Sequence, residues 1–524
     1  MKDGEERVSL AGGQGARTSV AGLAILLLCL SRVAWGEPVT VIRDNGDPAN
    51  RVDMVVLGDG YTAGELGKYA TDVETFVQGT FAQEPFKEYA RYFNVHRVDV
   101  VSNESGADHP EREPPVFKDT ALDATYNCAG IQRLICVDVS KINTVVSRSL
   151  SAAARDVIVV LVNDVEYGGS GGAVAVASVH PAVVELVLHE LGHSFGLLAD
   201  EYGGPPPPAC NASVEPVEAN ATKETKRELI KWTSWIDLST PIPTPGPDPG
   251  VPGLYEGARY CDTGLHRPTY NSKMRSLGPS YEQINTEQLV KRVYNWASPI
   301  DAVEPSASTV VLSQGQSQTF DAHVLQPATH SLTVVWRLDG QLAGTGSQYV
   351  LDASSLTAGT HVLKVKVKDH TTFVRSDPAS VLREVWTWDV TVVGMPDLVE
   401  TAVSDPPPSV GLGGTFPVTD TVGNQGTAAA GPSRTRYYLS PDTVRDSGDT
   451  RLIGARLVPG LDPGATSSGS TTVTVNTATL PGTYFLLACA DDKNGVVEGS
   501  ETNNCVASGT TVVVTPVSRG PSRH

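Results

Sequence analysis

The segment His189-Glu190-Leu191-Gly192-His193 has the residue types and spacing best suited to chemistry. On a helix, residues four apart lie on one face, so the imidazoles of His189 and His193 can both reach one cation. Glu190 lies about 100° further round the helix. It is therefore poorly placed to be a third ligand, but well placed to take a proton from a water molecule that the metal activates. The alternative is a pair of core histidines on a buried helix.

Three further features favour a catalytic zinc ion. Gly196 follows His189 by seven residues, where a glycine in the left-handed conformation can end the helix and turn the chain back. The acidic pair Asp200-Glu201 comes next and can complete the set of ligands. Met274 is one of only four methionines and stands in a turn before a predicted closing helix.

The elements that must position these residues are predicted from hydrophobic periodicity. Expected strands cover residues 53–57, 92–101 and 156–162, and expected helices cover 64–82, 182–198 and 282–297. In the helix that carries the histidines, Pro181 stands at the start, and Val184, Leu188 and Leu191 are spaced as a core-facing stripe. The pattern predicts an α/β domain over residues 37–300.

A glycine-rich run, residues 168–172, precedes a short stretch of small and β-branched residues at 173–179. The run lacks the Gly-Lys-Ser/Thr ending of a phosphate loop and precedes a strand rather than a helix, which argues against phosphate binding. We expect residues 173–179 to form an edge strand with which a substrate could pair. A plain hairpin is the alternative.

Beyond about residue 305 helical periodicity gives way to short alternating strands, such as 331–338, 361–367 and 385–393. This pattern predicts a β-sandwich over residues 301–395, a second all-β unit over 396–515 and a polar tail at 516–524. The whole chain of 524 residues is long enough for about three domains.

The N-terminus reads as a targeting segment. An apolar run at residues 20–30 follows Arg17 and precedes Ala34-x-Gly36, which is an acceptable cleavage site. Eleven apolar residues are too few for a stable membrane anchor, and no later stretch is long and apolar enough to be one. We therefore expect a signal peptide at 1–36 and a secreted protein without a transmembrane anchor. The alternative is a buried core helix.

The net charge and the cysteine content bear on the expected partners and on the expected disulfides. The net charge is −19 and no cluster of Lys and Arg stands out, so nucleic acid is not an expected partner. Six cysteines follow the predicted signal peptide, and six allow 15 pairings. Proximity and the expected domain boundaries favour the disulfides Cys128–Cys136, Cys210–Cys261 and Cys489–Cys505. Buried free thiols are the alternative.

The string HELGHSFGLLADEYGG at 189–204, VVLGDGYT at 55–62 and the turn Ser272-Lys273-Met274-Arg275 resemble the IgA-peptidase family of zinc metallopeptidases. That family is similar to the metzincins, and the resemblance covers about residues 40–300. It implies an α/β zincin fold and a zinc endopeptidase. His189 and His193 would be ligands, Glu190 the general base and Met274 a hydrophobic floor beneath the metal.

One departure from the metzincin pattern concerns the third ligand. Ordinary metzincins have a histidine ten residues after the first, and here that position is Ala199. Asp200 is then the expected third ligand, with Glu201 as the fallback, because carboxylates are acceptable zinc ligands. A tyrosine could assist the reacting carbonyl; Tyr202, Tyr270 and Tyr281 are candidates, each with a purely structural role as the alternative.

The C-terminal part resembles a second family. Residues 396–399 (PDLV), 437–442 (YYLSPD) and 498–505 (EGSETNNC) are similar to the cell-adhesion-related domain called CARDB. The resemblance implies an immunoglobulin-like sandwich and attachment to a cell surface or matrix. The acidic turn at 442–449 could bind calcium, and a solvated turn is the alternative.

Together these patterns predict a secreted zinc endopeptidase that cleaves extracellular proteins or peptides, with two immunoglobulin-like β-sandwich domains after its α/β domain. A non-catalytic secreted adhesin with a structural or inactive metal site is the main alternative, although a structural site has no need of Glu190 as a base. A zinc hydrolase of cell-wall amides is a further alternative. Substrate choice depends on loops 203–280, and cleavage of immunoglobulin A is not inferred.

Overall fold

The computed structural model describes residues 36–204 and 210–516. The predicted signal peptide, apart from Gly36, and the predicted polar tail, apart from Pro516, lie outside the described residues. Within the described residues, no helix has the length and apolar character needed to cross a membrane. An α/β region comes first in the chain, and two regions built from strands follow it.

Eight strands and four helices make up the α/β region. The strands are β1 (Val39–Arg43), β2 (Val52–Asp59), β3 (Phe93–Val98), β4 (Val157–Val162), β5 (Gly169–Ser170), β6 (Ala175–Ser178), β7 (Tyr255–Ala258) and β8 (Cys261–Arg267). The helices are α1 (Leu66–Thr80), α2 (Val139–Ser149), α3 (Val183–Ser194) and α4 (Glu282–Trp296). A six-stranded sheet has the order β1-β3-β2-β4-β6-β5, and β7 and β8 form a separate pair.

Four central strands of the sheet, β3, β2, β4 and β6, run parallel, and antiparallel β1 and β5 form its edges. Strand β2 is buried along its whole length, and its central residues 54–57 are apolar on both faces. Met54 and Val56 face the core that α1, α3 and α4 share, while Val55 and Leu57 face the core on the side of α2. The sheet is therefore covered on both faces, as its continuous apolar strands require.

The helix α3, which carries both histidines, is shorter than the sequence predicted. It ends at Ser194 rather than near residue 198. The left-handed conformation after the helix is taken by Leu197, at φ 55°, and not by Gly196 as expected. Gly196 is needed for a different reason: a Cβ there would lie 2.6 Å from the carbonyl oxygen of Gly192. The prediction of a glycine C-cap was wrong because close packing, not backbone conformation, requires this glycine.

The prediction of an edge strand at residues 173–179 was also wrong. Strand β6 lies between β4 and β5, and Ala177 and Val176 pair with Gly169 and Ser170. The glycine-rich run doubles back and pairs with β6 on the side away from β4, so β6 is an internal strand rather than an edge strand. The hairpin alternative describes this part of the chain.

Two sheets form the region that follows. Its strands are β9 (Ile300–Glu304), β10 (Thr309–Ser313), β11 (Ser317–Val324), β12 (Thr333–Leu338), β13 (Gln341–Thr345), β14 (Gln348–Asp352), β15 (Gly359–Lys368) and β16 (Arg383–Val393). The sheet orders are β10-β16-β15-β12-β13 and β14-β11-β9. Trp336 and Trp388 from the larger sheet share one buried core with Phe320 from the smaller sheet.

The last region is one eight-stranded sheet. Its strands are β17 (Leu398–Val403), β18 (Ser409–Gly411), β19 (Thr415–Asn424), β20 (Ser433–Ser440), β21 (Thr450–Val458), β22 (Thr466–Thr474), β23 (Gly482–Cys489) and β24 (Cys505–Thr515). The order is β17-β19-β22-β21-β20-β23-β24-β18. Strand β21 pairs with β20 over much of its length but with β22 only at Ile453 and Thr474, so the sheet changes direction there. Both halves share a core that includes Val418, Tyr437 and Val512.

The α/β region and the two-sheet region pack tightly against each other. Leu325 and Leu382 from the two-sheet region belong to the same apolar core as α1, α3 and α4. Arg51 pairs with Asp301 at 2.6 Å, and the guanidinium of Arg375 lies 4.2 Å from the ring centre of Trp235. This contact continues the core of the α/β region and rules out a loosely tethered arrangement.

Three disulfides join the cysteine pairs that sequence proximity favoured. They are Cys128–Cys136, Cys210–Cys261 and Cys489–Cys505. The first holds the loop before α2, and the second ties the chain after α3 to the start of β8. The third joins β23 to β24 within the eight-stranded sheet.

Candidate metal centre and active-site cleft

The two histidines of α3 are oriented by backbone carbonyls. His189 Nδ1 lies 2.8 Å from the carbonyl oxygen of Lys273, and His193 Nδ1 lies 2.8 Å from that of Leu198. A carbonyl oxygen can only accept a hydrogen bond, so each Nδ1 carries the proton and each Nε2 keeps a lone pair. Both lone pairs are directed at the same place, because the two Nε2 atoms are 3.3 Å apart.

A carboxylate oxygen completes a triangle with these nitrogens. Asp200 Oδ1 lies 3.2 Å from His189 Nε2 and 3.2 Å from His193 Nε2. It is buried, and no donor among the described residues satisfies it. In a tetrahedral zinc site with bonds of about 2.0–2.1 Å, neighbouring ligand atoms are separated by about 3.3–3.4 Å. The three converging acceptors therefore fit a divalent metal ion in both spacing and chemistry.

The other oxygen of Asp200 is held by a residue that sequence reasoning missed. Tyr260 donates its hydroxyl hydrogen to Asp200 Oδ2. The backbone N–H groups of Arg259 and Tyr260 also bond the carbonyls of Asp200 and Tyr202. Tyr260 precedes Cys261 of a disulfide, but it is 60 residues from Asp200 and no local spacing signals the contact.

Glu201, the fallback ligand, lies outside this triangle. Its carboxylate is fully buried and accepts hydrogen bonds from Asn220 Nδ2 at 3.0 Å, Asn285 Nδ2 at 2.8 Å and Ser272 Oγ at 2.7 Å. Asn220 also bonds the backbone of Ala199 through both ends of its amide. This network braces the turn that presents Asp200, and sequence analysis identified neither asparagine.

The turn at residues 272–275 lies directly beneath the histidines. Met274 is fully buried, and a Cβ added to Gly192 would overlap its Sδ atom. The carbonyl of Lys273 accepts from His189, and the carbonyl of Met274 accepts from the N–H of Glu201 at 2.8 Å. One turn therefore orients a histidine, supports α3 and anchors the chain next to Asp200.

Glu190 lies in the same cleft as the two histidines and Asp200, but it is not part of the triangle that those three residues form. Its carboxylate is almost entirely buried and lies within 4.8 Å of both imidazole nitrogens. Burial raises the pKa of Glu190, and the neighbouring histidines oppose that rise. A Cβ at Gly171 would lie 2.8 Å from Glu190 Oε2, and one at Gly169 would lie 3.2 Å from Oε1. The glycine-rich run is thus the close cover of this carboxylate.

Two connected pockets open around the metal-binding triangle. The larger, of about 460 Å³, contains both histidines, Glu190 and Asp200. The smaller, of about 280 Å³, adjoins it at His189 and Glu190. Of the three candidate tyrosines only Tyr202 lines these pockets. Tyr281 is buried and donates to the carbonyl of Leu188, so it is a structural residue.

The acidic turn at 442–449 shows no converging set of ligands. Asp442 Oδ1 accepts from the N–H of Val444 at 2.8 Å, and Asp446 Oδ1 accepts from that of Gly448 at 2.7 Å. Asp449 lies 3.6 Å from the guanidinium of Arg445. The carboxylates stabilise the turn itself, so calcium binding remains a prediction without structural support.

Two family models match the chain, one within the α/β region and one within the last region. Residues 40–251 match the family model described as IgA Peptidase M64. Residues 395–508 match the CARDB model. Both resemblances inferred from the sequence motifs are thereby confirmed. The M64 segment (residues 40–251) contains α3 and Asp200 and indicates a metal-dependent peptidase, whereas Tyr260 and Met274 lie beyond it.

Two of the solved structures that resemble the chain each cover about a quarter of it. One is the CARDB domain of a Pyrococcus furiosus protein in complex with di-metal ions, 25% identical, covering 23% of this chain and 94% of that chain at a TM-score of 0.17. Another is residues 272–376 of a putative cell surface protein from Methanosarcina acetivorans, 20% identical, covering 25% and 98% at 0.17. TM-scores this low support no inference about this chain. Among curated proteins, none matches it significantly.

Proposed function

We propose that this protein is a secreted zinc endopeptidase that hydrolyses peptide bonds of extracellular proteins. One observation carries the proposal: His189 Nε2, His193 Nε2 and Asp200 Oδ1 converge within 3.3 Å of one another beside the buried carboxylate of Glu190. The M64 match supports peptidase chemistry for the segment that holds these residues. Asp200 is the proposed third ligand, because Glu201 is engaged by three donors elsewhere.

Two nitrogen donors and one carboxylate oxygen are a typical ligand set for catalytic zinc, and they leave one position free for water or substrate. When bound, zinc would supply Lewis acidity that polarises a peptide carbonyl and makes a water molecule more acidic. The carbonyl anchors of the two Nδ1 atoms keep the ligands oriented without the ion, so little rearrangement is needed on binding.

Glu190 is the proposed general base and acid. Burial raises the pKa of this carboxyl above the ordinary value for glutamate, which makes the group a better proton acceptor. In the proposed reaction Glu190 accepts the proton of the attacking water and then delivers it to the departing amine. The glycine-rich run lies close against this carboxylate, and a side chain at Gly171 would crowd it.

The two tyrosines of the larger pocket have different proposed roles. Tyr260 is a positioning residue, because its hydroxyl donates a hydrogen bond to Asp200 Oδ2. Tyr202 lines both pockets and is proposed to donate a hydrogen bond to the carbonyl oxygen of the scissile bond. Burial and the nearby Asp200 raise the pKa of Tyr202 to about 12, so its hydroxyl keeps the donated proton at neutral pH.

The remaining parts of the chain have proposed roles of their own. We propose a zincin-type fold for residues 37–300, immunoglobulin-like folds for 301–395 and 396–515, and export directed by residues 1–36. The parallel sheet flanked by helices and the two apolar β cores support these fold assignments. The CARDB match supports attachment to a cell surface or matrix through the C-terminal region.

The decisive experiment combines metal analysis with proteolysis. The purified protein is loaded with zinc, dialysed and assayed for bound metal and for cleavage of casein, alongside Glu190→Gln and the matched exposed glutamate variant Glu74→Gln. We expect about one zinc per chain in all three proteins, unchanged proteolysis in Glu74→Gln, and a loss of about 10²–10⁴-fold in Glu190→Gln.

Other results would favour the other functions. Bound zinc without cleavage of casein or peptides would reject the endopeptidase, and release of cell-wall fragments would then identify an amide hydrolase of that material. Absence of zinc from every variant would reject the metal centre and return His189 and His193 to a structural role. Equal activity of Glu190→Gln and the unmodified protein would reject Glu190 as the base.

A further inference from the structure

The smaller pocket beside Glu190 is lined by two arginines. Its lining residues include the apolar Leu186 and Leu277 together with Arg133 and Arg275. Among residues 36–204 and 210–516, no carboxylate lies within 4.0 Å of either guanidinium. Arg275 is half-buried and Arg133 is exposed, whereas the buried Arg51 and Arg456 are each paired with a carboxylate. Two unpaired cations therefore face one small cavity next to the reacting centre.

Arg275 is held in place without its charge being neutralised. Its Nη1 donates to the carbonyl of Tyr270 at 2.7 Å, and its guanidinium lies 5.2 Å from the centre of the Tyr270 ring. It directly follows Met274, so the turn that supports the metal ligands also positions this cation. A guanidinium has five N–H donors, and those not engaged by Tyr270 are available to a ligand.

Arg133 lines the same pocket from a different segment of the chain. Its carbonyl accepts from the N–H of Gly169 at 3.1 Å, and Leu134 bridges to Gly169 at the sheet edge. The disulfide Cys128–Cys136 closes the same loop. Arg133 lines both pockets, so it stands where a bound peptide would pass from one to the other. Both arginines are thus presented by tethered backbone.

The balance of charge favours an anionic ligand. With a divalent cation bound, its charge is offset by those of Asp200 and Glu190, and Arg133 and Arg275 then leave the cleft net positive. This contrasts with the chain as a whole, which carries −19. Guanidinium groups recognise carboxylates through paired, charge-assisted hydrogen bonds. An unpaired arginine pair at this place is therefore best matched by a carboxylate on the substrate.

On the basis of the proposed peptidase function, we propose that the cleft selects peptides with a carboxylate next to the scissile bond, bound by Arg275 and Arg133. The apolar walls from Leu186 and Leu277 suit the methylene groups of a glutamate side chain. The carboxylate is that of an acidic side chain or of the C-terminus of a short substrate, and both share the same recognition chemistry. Arg275 and Arg133 are then specificity-determining residues.

The test uses paired peptides that differ only in Glu or Gln at each position around the cleavage site, each made with a free and with an amidated C-terminus. The ratio of kcat/KM for Glu over Gln is measured for the zinc-loaded protein, Arg275→Gln, Arg275→Lys and Arg133→Gln. Arg337→Gln is the matched control, because Arg337 also donates to a carbonyl but lies in the two-sheet region, outside the cleft.

We expect a ratio of about 10–100 for the unmodified protein and for Arg337→Gln at one position of the peptide. In Arg275→Gln the ratio should fall towards one, and Arg133→Gln should show a smaller decrease. Arg275→Lys should keep part of the preference, which separates loss of charge from misfolding. A preference confined to peptides with a free C-terminus would assign the carboxylate to that terminus.

A binding assay keeps the proposal testable apart from catalysis. The same labelled peptides are titrated into zinc-loaded Glu190→Gln and its double variant with Arg275→Gln, and the Kd for Glu and Gln peptides is compared by fluorescence anisotropy. Carboxylate selection would be overturned if the Glu and Gln peptides had equal Kd values in Glu190→Gln, or if the kcat/KM ratio of Glu over Gln were near one in an active unmodified enzyme. Either result would leave the peptidase proposal intact. Absence of all peptide cleavage would instead overturn the peptidase proposal.

Discussion

The proposed metal centre and the contact between the first two regions each combine histidine with buried carboxylates, but they arrange them differently. In the metal centre, the second ring nitrogen of each histidine faces a backbone carbonyl. At the contact, both ring nitrogens of His330 face carboxylates: Nδ1 lies 2.8 Å from Glu88 Oε1, and Nε2 lies 2.7 Å from Asp369 Oδ1. We call the three residues Glu88, His330 and Asp369 the interface clamp.

The interface clamp is built as an ion pair. Asp369 is buried and also accepts hydrogen bonds from the hydroxyls of Tyr89 and Tyr294, each at 2.7 Å. Burial by itself would lower the pKa of His330, but hydrogen bonds and charge from Asp369 and Glu88 outweigh it and raise the pKa. The two carboxylates therefore favour the protonated form of His330, which joins a segment of the α/β region to the two-sheet region.

The difference shows what decides whether a buried histidine is suited to a metal. A carbonyl on Nδ1 leaves a lone pair on Nε2, whereas carboxylates on both nitrogens favour a second proton and leave no lone pair. His109 follows the arrangement of the clamp, with Glu111 and Asp164 each 2.9 Å from a ring nitrogen. Proximity of histidine and carboxylate is thus not enough, and the partner of the second nitrogen decides.

The largest expected effect separates the two histidine sites by metal content. His193→Ala and Asp200→Ala should each lose more than about 100-fold in zinc affinity, because a ligand is removed rather than an outer contact. His330→Gln should bind zinc as the unmodified protein does. Competition with a chromophoric chelator measures all three. If His193→Ala bound zinc as tightly as the unmodified protein, or if His330→Gln lost zinc affinity, the two histidine sites would not differ as described.

The next effect tests the two adjacent acids of the metal-binding turn. Glu201→Ala should lower the free energy of unfolding by about 3 kcal/mol, because buried donors on Asn220, Asn285 and Ser272 lose their acceptor. It should nevertheless keep one zinc per chain, unlike Asp200→Ala. Chemical denaturation and metal analysis on the same samples check both statements. If Glu201→Ala lost zinc and Asp200→Ala kept it, Glu201 rather than Asp200 would be the metal ligand.

A smaller effect concerns the support beneath the metal centre. Gly192→Ala should destabilise the protein by about 1–3 kcal/mol, because the added methyl overlaps Met274 in a filled core. The matched change Gly67→Ala places a methyl in open space on α1 and should stabilise by up to about 1 kcal/mol. Thermal unfolding of both variants measures the contrast. A neutral Gly192→Ala would show that the turn at 272–275 is not rigid.

The smallest expected effect is the pH dependence of the interface clamp. Because the pKa of His330 is raised in the folded protein, its contribution is fully present below the ordinary value of 6.5 and is lost as pH rises through the folded pKa. The pKa of Glu88 is lowered, because its hydrogen bonds from Thr329 and His330 outweigh burial. Its contribution is therefore present above the ordinary value of 4.5 and is lost as pH falls through the lowered pKa.

The clamp should thus stabilise the protein by about 1 kcal/mol near pH 6, a modest value because His330 is partly exposed. The difference in Tm between the unmodified protein and His330→Gln should shrink as pH is raised from about 6 to 9. A Tm difference that does not change with pH over this range would show that His330 acts only by packing.

Much of the site was predictable from the sequence because it depends on local spacing. Residues four apart on one helix share a face wherever that helix lies, so the placement of His189, Glu190 and His193 together on α3 follows from their spacing. Disulfides between cysteines 8 and 16 residues apart are likewise favoured by proximity. The M64 and CARDB motifs are also contiguous strings, so they could be read directly.

Contacts between segments that are far apart in the chain could be learned only from the tertiary structure. Tyr260 reaches Asp200, Asn220 and Asn285 reach Glu201, and no pattern within their own segments indicates these contacts. The reversal of the glycine-rich run covers β6, and Leu197 rather than Gly196 takes the left-handed conformation. Local sequence sets which conformations and faces are available, but only packing against the rest of the chain selects the partner of each buried polar group.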